Sequence, residues 1–160
     1  MTTPRWLSDD ELTAWLRLRA VTMLLPAAID GQLKRDSGLT EFEYYVLAML
    51  SDASDRRLTL SDLASRTNSS LSRLSHVVRR LGEAGWVTKA TCPDDGRSTF
   101  AVLTDAGMAL VESAAPGHVE EVRRRVFDTL SDAEREGLSV ALERILSTLD
   151  PAHHLTRDID

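Results

Sequence analysis

The sequence predicts a mainly α-helical fold that includes one short two-stranded hairpin. A hydroxyl residue followed three positions later by Glu or Asp can close a capping box at a helix start. Pairs of this kind occur at Ser8/Glu11, Thr40/Glu43, Thr59/Asp62 and Ser131/Glu134. Each pair precedes a segment with apolar residues three and four positions apart, as on one face of a helix. The stretch WVTKATCPDDGRSTFAVLT (86–104) instead has two runs rich in Val and Thr around a turn, which is typical of a hairpin.

The first two predicted helices differ in how much of their surface is apolar. The first extends from about Asp9 to Asp36 and contains Pro26, which should kink it because proline lacks a backbone donor. One broad side of this helix carries Leu12, Trp15, Leu16, Arg19, Met23 and Leu24. The second extends from about Glu41 to Leu50 and is apolar around most of its circumference, so we expect it to be buried on most sides.

The middle of the chain has the element order of a winged helix-turn-helix. A short helix from Leu60 to Thr67 is followed by Asn68-Ser69 and then by a second helix within SLSRLSHVVRRLGEAGWV (70–87). The hairpin of residues 86–104 follows directly and is predicted to form a two-stranded wing. Helix, short turn, helix and hairpin in this order indicate that motif.

Two further helices are predicted after the hairpin. The first extends from Asp105 to about Thr129, and Pro116-Gly117 in its middle predicts a bend or a break. The second extends from Ser131 to Leu149 and ends before Pro151. Its apolar stripe consists of Leu138, Ala141, Leu142, Ile145 and Leu149.

The composition predicts a cytoplasmic protein with one basic segment. No apolar run approaches the ~18 residues of a membrane span, the N-terminus lacks the apolar core of a secretory signal, and Cys92 alone forms no disulfide framework. The chain has a net charge of −6, whereas residues 56–104 hold eight Lys/Arg and four Asp/Glu and therefore carry +4. The basic segment is the part of this acidic chain that would attract a polyanion.

The second helix of the motif has one apolar side and one basic side. Leu71, Leu74, Val78 and Leu81 form a stripe towards the core, and the other side has no acid before Glu83. This pattern predicts contacts with duplex DNA, with hydroxyl groups and the helix N-terminus near phosphates and with Arg73 and His76 at base edges. The residues predicted to contact DNA are Ser69, Ser70, Ser72, Arg73, His76, Arg79, Arg80, Lys89, Asp95 and Arg97.

The hairpin tip provides a second predicted contact. Arg97 can extend into a minor groove while Asp95 holds its guanidinium. The predicted phosphate contacts are Arg56, Arg57, Arg79, Arg80 and Lys89. Two alternatives to DNA binding remain open. In the first, the arginines simply belong to a solvated helix face and an ordinary turn. In the second, the same fold is a protein-interaction module whose basic face docks an acidic partner.

The chain resembles the MarR family of winged helix-turn-helix transcriptional regulators between about Leu39 and Glu112. The resemblance rests on LTEFEYYVLAMLSDA, LTLSDLASRTNSSLSRLSHVVRRLGEAGWV, DDGRSTFAVLT and TDAGMALVE, and the family's Asp-x-Arg pattern in the wing falls on Asp95 and Arg97. It implies a ligand-responsive repressor that binds an inverted-repeat operator in double-stranded DNA as a homodimer. The implied organisation is an N-terminal dimerisation helix (1–38), a DNA-binding lobe (39–104), C-terminal dimerisation helices (105–150) and a tail (151–160).

The same resemblance implies an effector site between the dimerisation helices and the DNA-binding lobe. Aromatic walls and one cation would suit a small aromatic or anionic effector. The residues predicted to line this site are Trp15, Arg19, Met23, Tyr44 and Tyr45. The alternative is that they belong to the core and to the dimer interface.

Enzymatic activity is not predicted, since no nucleophile with a base, no glycine-rich phosphate loop and no paired carboxylates stand out. No cofactor is expected. Cys92 is interpreted as an incidental thiol rather than a redox sensor. His153 and His154 with Asp158 are not favoured as a metal site because a loose tail offers no preset geometry.

Overall fold

The computed structural model describes residues 3–91 and 98–155. Within them the elements are α1 (Asp9–Ser37), α2 (Glu41–Asp52), β1 (Arg57–Thr59), α3 (Leu60–Arg66), α4 (Leu71–Glu83), β2 (Val87–Thr91), β3 (Thr99–Leu103), α5 (Asp105–Arg125) and α6 (Asp132–Leu149). Single 3₁₀ turns precede β1 and α6 at Ser54–Arg56 and Phe127–Thr129. The predicted mainly α-helical fold with a winged helix-turn-helix is confirmed.

Local hydrogen bonds explain where the helices begin. Ser8, Thr40 and Ser131 each close a reciprocal capping box with the Glu three residues later, as the sequence predicts. Thr59 forms half of this motif, because its hydroxyl oxygen accepts a bond from the backbone N–H of Asp62 at 3.1 Å. The helix starts are therefore fixed by residues adjacent in the chain.

Two prolines lie inside helices rather than at their ends. Pro26 is within α1 and Pro116 is within α5, which continues without a break to Arg125. The predicted possibility of a break at Pro116-Gly117 is therefore wrong. Proline removes one backbone hydrogen bond, but α1 packs along α5 and both helices pack against α2.

The wing belongs to a three-stranded antiparallel sheet in the order β1-β3-β2. Leu58 of β1 pairs with Ala101 of β3, and Val87 of β2 pairs with Leu103 of β3. The prediction of a two-stranded wing missed β1 because three residues are too few to show an alternating pattern. The additional strand attaches the wing to the start of α3.

One core joins α2, α3, α4 and the sheet and extends to α1 and α5. The helix α2 is buried on several sides, through Tyr44, Val46, Leu47 and Leu50, as its composition predicts. The largest fully buried side chains of the core are Leu33, Leu39, Leu47, Leu50, Leu63, Leu74 and Leu81.

The terminal helices α1 and α6 keep large apolar side chains exposed. On α1 these include Leu12, Trp15, Leu16, Met23 and Leu24, and on α6 they include Leu142, Ile145 and Leu149. No residue of α6 is buried. By length and composition alone, α1 is also apolar enough to cross a membrane, and it is the one such helix among the described residues.

Close backbone contacts fasten α5 to the base of the wing. The backbone N–H of Thr104 donates to the carbonyl of Trp86 at 3.0 Å, and its hydroxyl donates to the carbonyl of Gly85 at 2.8 Å. Gly107 lies in the first turn of α5, where a Cβ atom would overlap the same Trp86 carbonyl oxygen. Glycine is therefore required at position 107 for this close approach.

Candidate nucleic-acid interface

The turn between α3 and α4 is held by its own hydroxyl groups. The Thr67 hydroxyl donates to the carbonyl of Leu63 at 2.8 Å and lies 3.0 Å from the Ser69 hydroxyl. Ser70 is the N-cap of α4, because its hydroxyl oxygen accepts a bond from the N–H of Arg73 at 3.2 Å. Ser69 and Ser70, which the sequence predicts as DNA contacts, therefore also shape the turn, and Ser69 is half-buried.

The α4 helix buries one side and exposes the opposite one. Leu74, Val78 and Leu81 are buried, as predicted, whereas Leu71 is 51% exposed. Leu71 is the first residue of α4 and lies before the part of the helix that packs on the core, so its inclusion in the buried stripe was wrong.

The outward side of α4 consists of Ser72, His76 and Arg79, which are spaced three and four residues apart opposite the buried leucines. All three are exposed. The Arg79 guanidinium lies 3.0 Å from Nδ1 of His76 and 3.6 Å from the Glu83 carboxylate. Exposed pairs of this kind are weak, so these side chains are available to a ligand of the helix.

One flank of α4 is occupied by α2. Arg80 donates two hydrogen bonds to the buried carboxylate of Glu43, of which the Nε bond measures 2.5 Å. The backbone N–H and the hydroxyl of Thr40 bind the other carboxylate oxygen, each at 2.8 Å. Burial would raise the pKa of Glu43, but the bonds from Arg80 and Thr40 outweigh burial and hold this pKa below its usual value. Arg80, predicted as a phosphate contact, therefore has a partner inside the subunit.

Arg73 lies on the same flank of α4 and stacks on an aromatic ring. Its guanidinium carbon is 4.2 Å from the centre of the Phe42 ring, within the range of a cation–π interaction. Arg73 is exposed, whereas Phe42 is partly buried against the core. The residue predicted to read bases is thus in contact with α2 in the free protein.

A cavity of about 480 Å³ opens between α1, the start of α2 and this flank of α4. Its walls combine apolar groups, three carboxylates and three basic side chains. The lining residues are Pro26, Ala27, Asp30, Thr40, Glu41, Phe42, Glu43, Arg73, His76, Val77 and Arg80. Two of the carboxylates are already paired, since Asp30 bonds to Lys34 and Glu43 to Arg80.

The predicted contacts near the wing are only partly described. Lys89 is exposed on β2, whereas Asp95, Arg97 and Cys92 lie outside the described residues. Arg56 pairs with Asp105 at 2.9 Å, and the Arg57 guanidinium lies 5.1 Å from the centre of the Phe100 ring. These two predicted phosphate contacts therefore have partners within the chain.

The residues predicted for the effector site fall into two separate groups. Trp15, Arg19 and Met23 are exposed on α1, with the Arg19 guanidinium 5.8 Å from the Trp15 ring. On α2, the buried ring of Tyr44 lies 4.6 Å from that of His118, and the Tyr45 hydroxyl donates to the carbonyl of Arg66 at 3.2 Å. None of these five residues lines the cavity beside α4.

Other groups considered in the sequence do not assemble into a metal centre. Within residues 3–91 and 98–155, no cluster of three or more His, Cys, Asp or Glu side chains has the geometry to hold a metal ion. Asp158 lies outside that part of the chain. The Asp150 carboxylate accepts the backbone N–H groups of His154 at 2.9 Å and Leu155 at 2.8 Å, and so orders the turn after α6.

Sequence reasoning missed Phe42 and the second role of Glu43. Both lie in the quoted segment LTEFEYYVLAMLSDA, where Glu43 was interpreted only as the capping partner of Thr40. Their contacts with α4 join residues 31 and 37 positions apart, which no local pattern can reveal. A buried acid in an apolar helix is the signal that could have predicted a basic partner.

Comparisons with known proteins agree on one family. A MarR family profile matches residues 37–98. Sco3205 from Streptomyces coelicolor, a MarR family transcriptional regulator crystallised with DNA, is 38% identical, with 94% of both chains covered and a TM-score of 0.89. AbsC from the same organism is also 38% identical, covering 91% of this chain and 98% of AbsC with a TM-score of 0.86.

A curated relative matches over a shorter segment. The transcriptional repressor YetL of Bacillus subtilis is 31% identical over 99 residues, which are 62% of this chain and 59% of YetL. The chain therefore aligns with less than two thirds of that repressor.

Proposed function

Since the chain belongs to the MarR family of transcriptional regulators, we propose that it represses genes by binding an inverted-repeat operator as a homodimer and releases the operator when a small effector binds. As a regulator of this family, it is not an enzyme. The observation that carries the proposal is the exposed outward side of α4, where Ser72, His76 and Arg79 stand at the position of a recognition helix.

The chemistry of this side suits a DNA major groove. Ser72 is short enough to let the helix approach, and Arg79 and His76 can donate to phosphates or to base edges. The N-terminus of α4 adds unpaired backbone N–H groups that favour a phosphate. The similar regulator Sco3205 was crystallised with DNA, which supports the same activity for this chain.

The exposed apolar sides of α1 and α6 support a homodimer. Trp15 is 48% exposed, Leu24 70% and Leu149 74%, although all three are large apolar side chains. A second copy of the chain would cover these helices about a two-fold axis. Two recognition helices related by that axis would read two half-sites about one helical turn apart, which requires an inverted repeat.

The cavity beside α4 supports an effector site of different composition from the one predicted. Phe42 and Pro26 supply apolar walls, and Arg73 and His76 supply groups that attract an anion. We assign a small aromatic acid to this cavity. The helix α4 forms one wall of this cavity. A ligand that binds more tightly when α4 has moved from its present position would favour that displaced state, in which the dimer no longer fits its operator.

A gel-shift titration with the DNA upstream of the gene itself tests the proposal. The wild-type protein should bind one fragment in preference to scrambled DNA, and log K should fall linearly with log salt, with a slope of about −0.9 per neutralised phosphate. Equal affinity for operator and scrambled DNA at every salt concentration would contradict sequence-specific repression and favour the alternative of an acidic protein partner.

A matched pair of variants locates the interface. Arg79→Ala removes an outward arginine of α4 and should weaken operator binding by about 1–3 kcal/mol. Arg123→Ala removes an exposed arginine of α5 and should leave operator affinity unchanged. If both variants lose the same affinity, α4 is not the recognition helix.

A further inference from the structure

We propose that Phe42 holds Arg73 away from DNA, so that α2 competes with the operator for the guanidinium that reads its bases. The inference rests on the proposed function, because it assumes that α4 enters the major groove. It assigns to Phe42 a positioning role that tunes sequence discrimination without any contact between Phe42 and DNA.

The geometry makes Phe42 the fixed partner and Arg73 the mobile one. The ring belongs to α2 and is partly buried against the core, whereas the Arg73 side chain is exposed on α4. The guanidinium lies 4.2 Å from the ring centre, close enough for a cation–π attraction. Rotation about the Arg73 side-chain bonds can release the guanidinium, but the ring cannot follow it.

Arg80, on the same flank of α4, makes a stronger contact than Arg73 and serves as a comparison. It binds the buried carboxylate of Glu43 through two N–H groups, and removing it would leave a buried charge unpaired. Among the described residues no carboxylate pairs with Arg73, whose guanidinium has the Phe42 ring as its partner. Arg73 can therefore leave its partner at a small cost, whereas Arg80 cannot.

The cost of moving Arg73 off the Phe42 ring affects the preference for the operator over unrelated DNA. In a complex with the operator, Arg73 leaves the ring and donates to a guanine edge. In a complex with unrelated DNA there is no matching edge, so Arg73 stays on Phe42. The ring therefore weakens operator binding alone, by about two- to fivefold per half-site if the contact is a typical exposed cation–π pair.

The cavity beside α4 extends the same competition to a ligand. Arg73 and Phe42 both line this cavity, so an anion bound there would hold the guanidinium on the ring. A ligand and the operator would then compete for one side chain, in addition to any change in the spacing of the two recognition helices.

The test is a double-mutant cycle on the full-length protein. The probes are a duplex carrying the inverted repeat footprinted upstream of the gene and the same duplex with scrambled half-sites. Phe42→Leu should raise operator affinity about two- to fivefold per half-site and leave scrambled DNA unchanged. Phe42→Tyr keeps an aromatic face and should match the wild type. In an Arg73→Ala background, Phe42→Leu should have no effect on operator affinity.

The controls separate this inference from its premise. Thermal unfolding of each variant checks that α2 stays packed, and Phe42→Tyr serves as the rescue variant. If wild-type protein binds the operator but Phe42→Leu does not change its affinity, or changes it equally with and without Arg73, the competition by Phe42 is disproved. If wild-type protein shows no preference for the operator, the proposed function itself fails.

Discussion

The DNA-binding lobe and the terminal helices bury their apolar residues in different ways. In the lobe, leucines from α2, α3 and α4 meet each other, and Leu47, Leu63 and Leu81 are fully buried within a single chain. On α6 no residue is buried, and Ile145 stays 41% exposed. The lobe thus completes its core within one chain, whereas α6 and the exposed side of α1 would be covered only in the proposed homodimer.

This difference separates the free energy of folding of the lobe from the free energy of association of two chains. Burial inside the lobe contributes the same free energy at any protein concentration. Burial between α1 and α6 of two copies in the proposed homodimer would depend on concentration, because it is a free energy of association. The substitutions below should separate these two contributions.

The largest expected effect is on association. Ile145→Asp would place a carboxylate twice in the apolar interface of the proposed dimer, so we expect the dimer dissociation constant to rise about a thousandfold or more. Sedimentation equilibrium measures it, with Glu143→Ala on the same helix as the control. A variant that remains dimeric at micromolar concentration would show that α6 lies outside the interface.

The next effect is confined to the lobe. Leu81→Ala removes a fully buried side chain between α4 and the sheet, and the free energy of unfolding should fall by about 2–5 kcal/mol. Urea denaturation at two protein concentrations should show the same loss at both. A loss that depends on concentration would mean that the lobe core is itself completed by the partner.

A smaller effect distinguishes two neighbouring arginines of α4. Arg80→Ala leaves the buried Glu43 carboxylate without its cation and should lower the free energy of unfolding by about 2 kcal/mol. Arg79→Ala removes an exposed pair and should change it by less than about 0.5 kcal/mol. Chemical denaturation of both variants compares them. Equal losses would indicate that the bond to Glu43 contributes little to stability.

The smallest effect concerns pH at the junction of the two regions. Burial against Tyr44 of α2 lowers the pKa of His118 on α5 below its usual value. The unfolded chain then binds more protons than the folded one below about pH 6.5, so the free energy of unfolding should decrease as the pH falls through that value, by less than about 1 kcal/mol for this partly buried group. Denaturation between pH 7.5 and 5.5 tests this. His118→Gln should flatten the slope.

Sequence reasoning was most accurate where the cause was local. The capping boxes at Ser8, Thr40 and Ser131, the buried side of α4 and the order of the winged motif all follow from residues a few positions apart. Family resemblance placed these elements in a known arrangement. The starts of the helices with capping boxes needed no knowledge of the tertiary structure.

Tertiary contacts account for what the sequence did not predict. β1 forms because β3 is available to pair with Arg57–Thr59, and α5 passes Pro116 because it packs along α1. The partners of Arg73 and Arg80 come from α2, so a sequence pattern assigned both arginines to DNA without showing that each already has a contact. The effector residues chosen on α1 and α2 likewise separate because α2 turns Tyr44 towards α5.

The close approach at Gly107 has a mechanical consequence. Because no side chain separates α5 from the Trp86 carbonyl, the start of α5 packs directly on the base of the hairpin, and we expect the two to move together. The 21 residues of α5 make this helix about 30 Å long. A tilt of α5 by about 5° around its far end would move the hairpin by roughly 3 Å, which is close to one base-pair step, so small changes at the interface of the proposed dimer would be magnified at the hairpin.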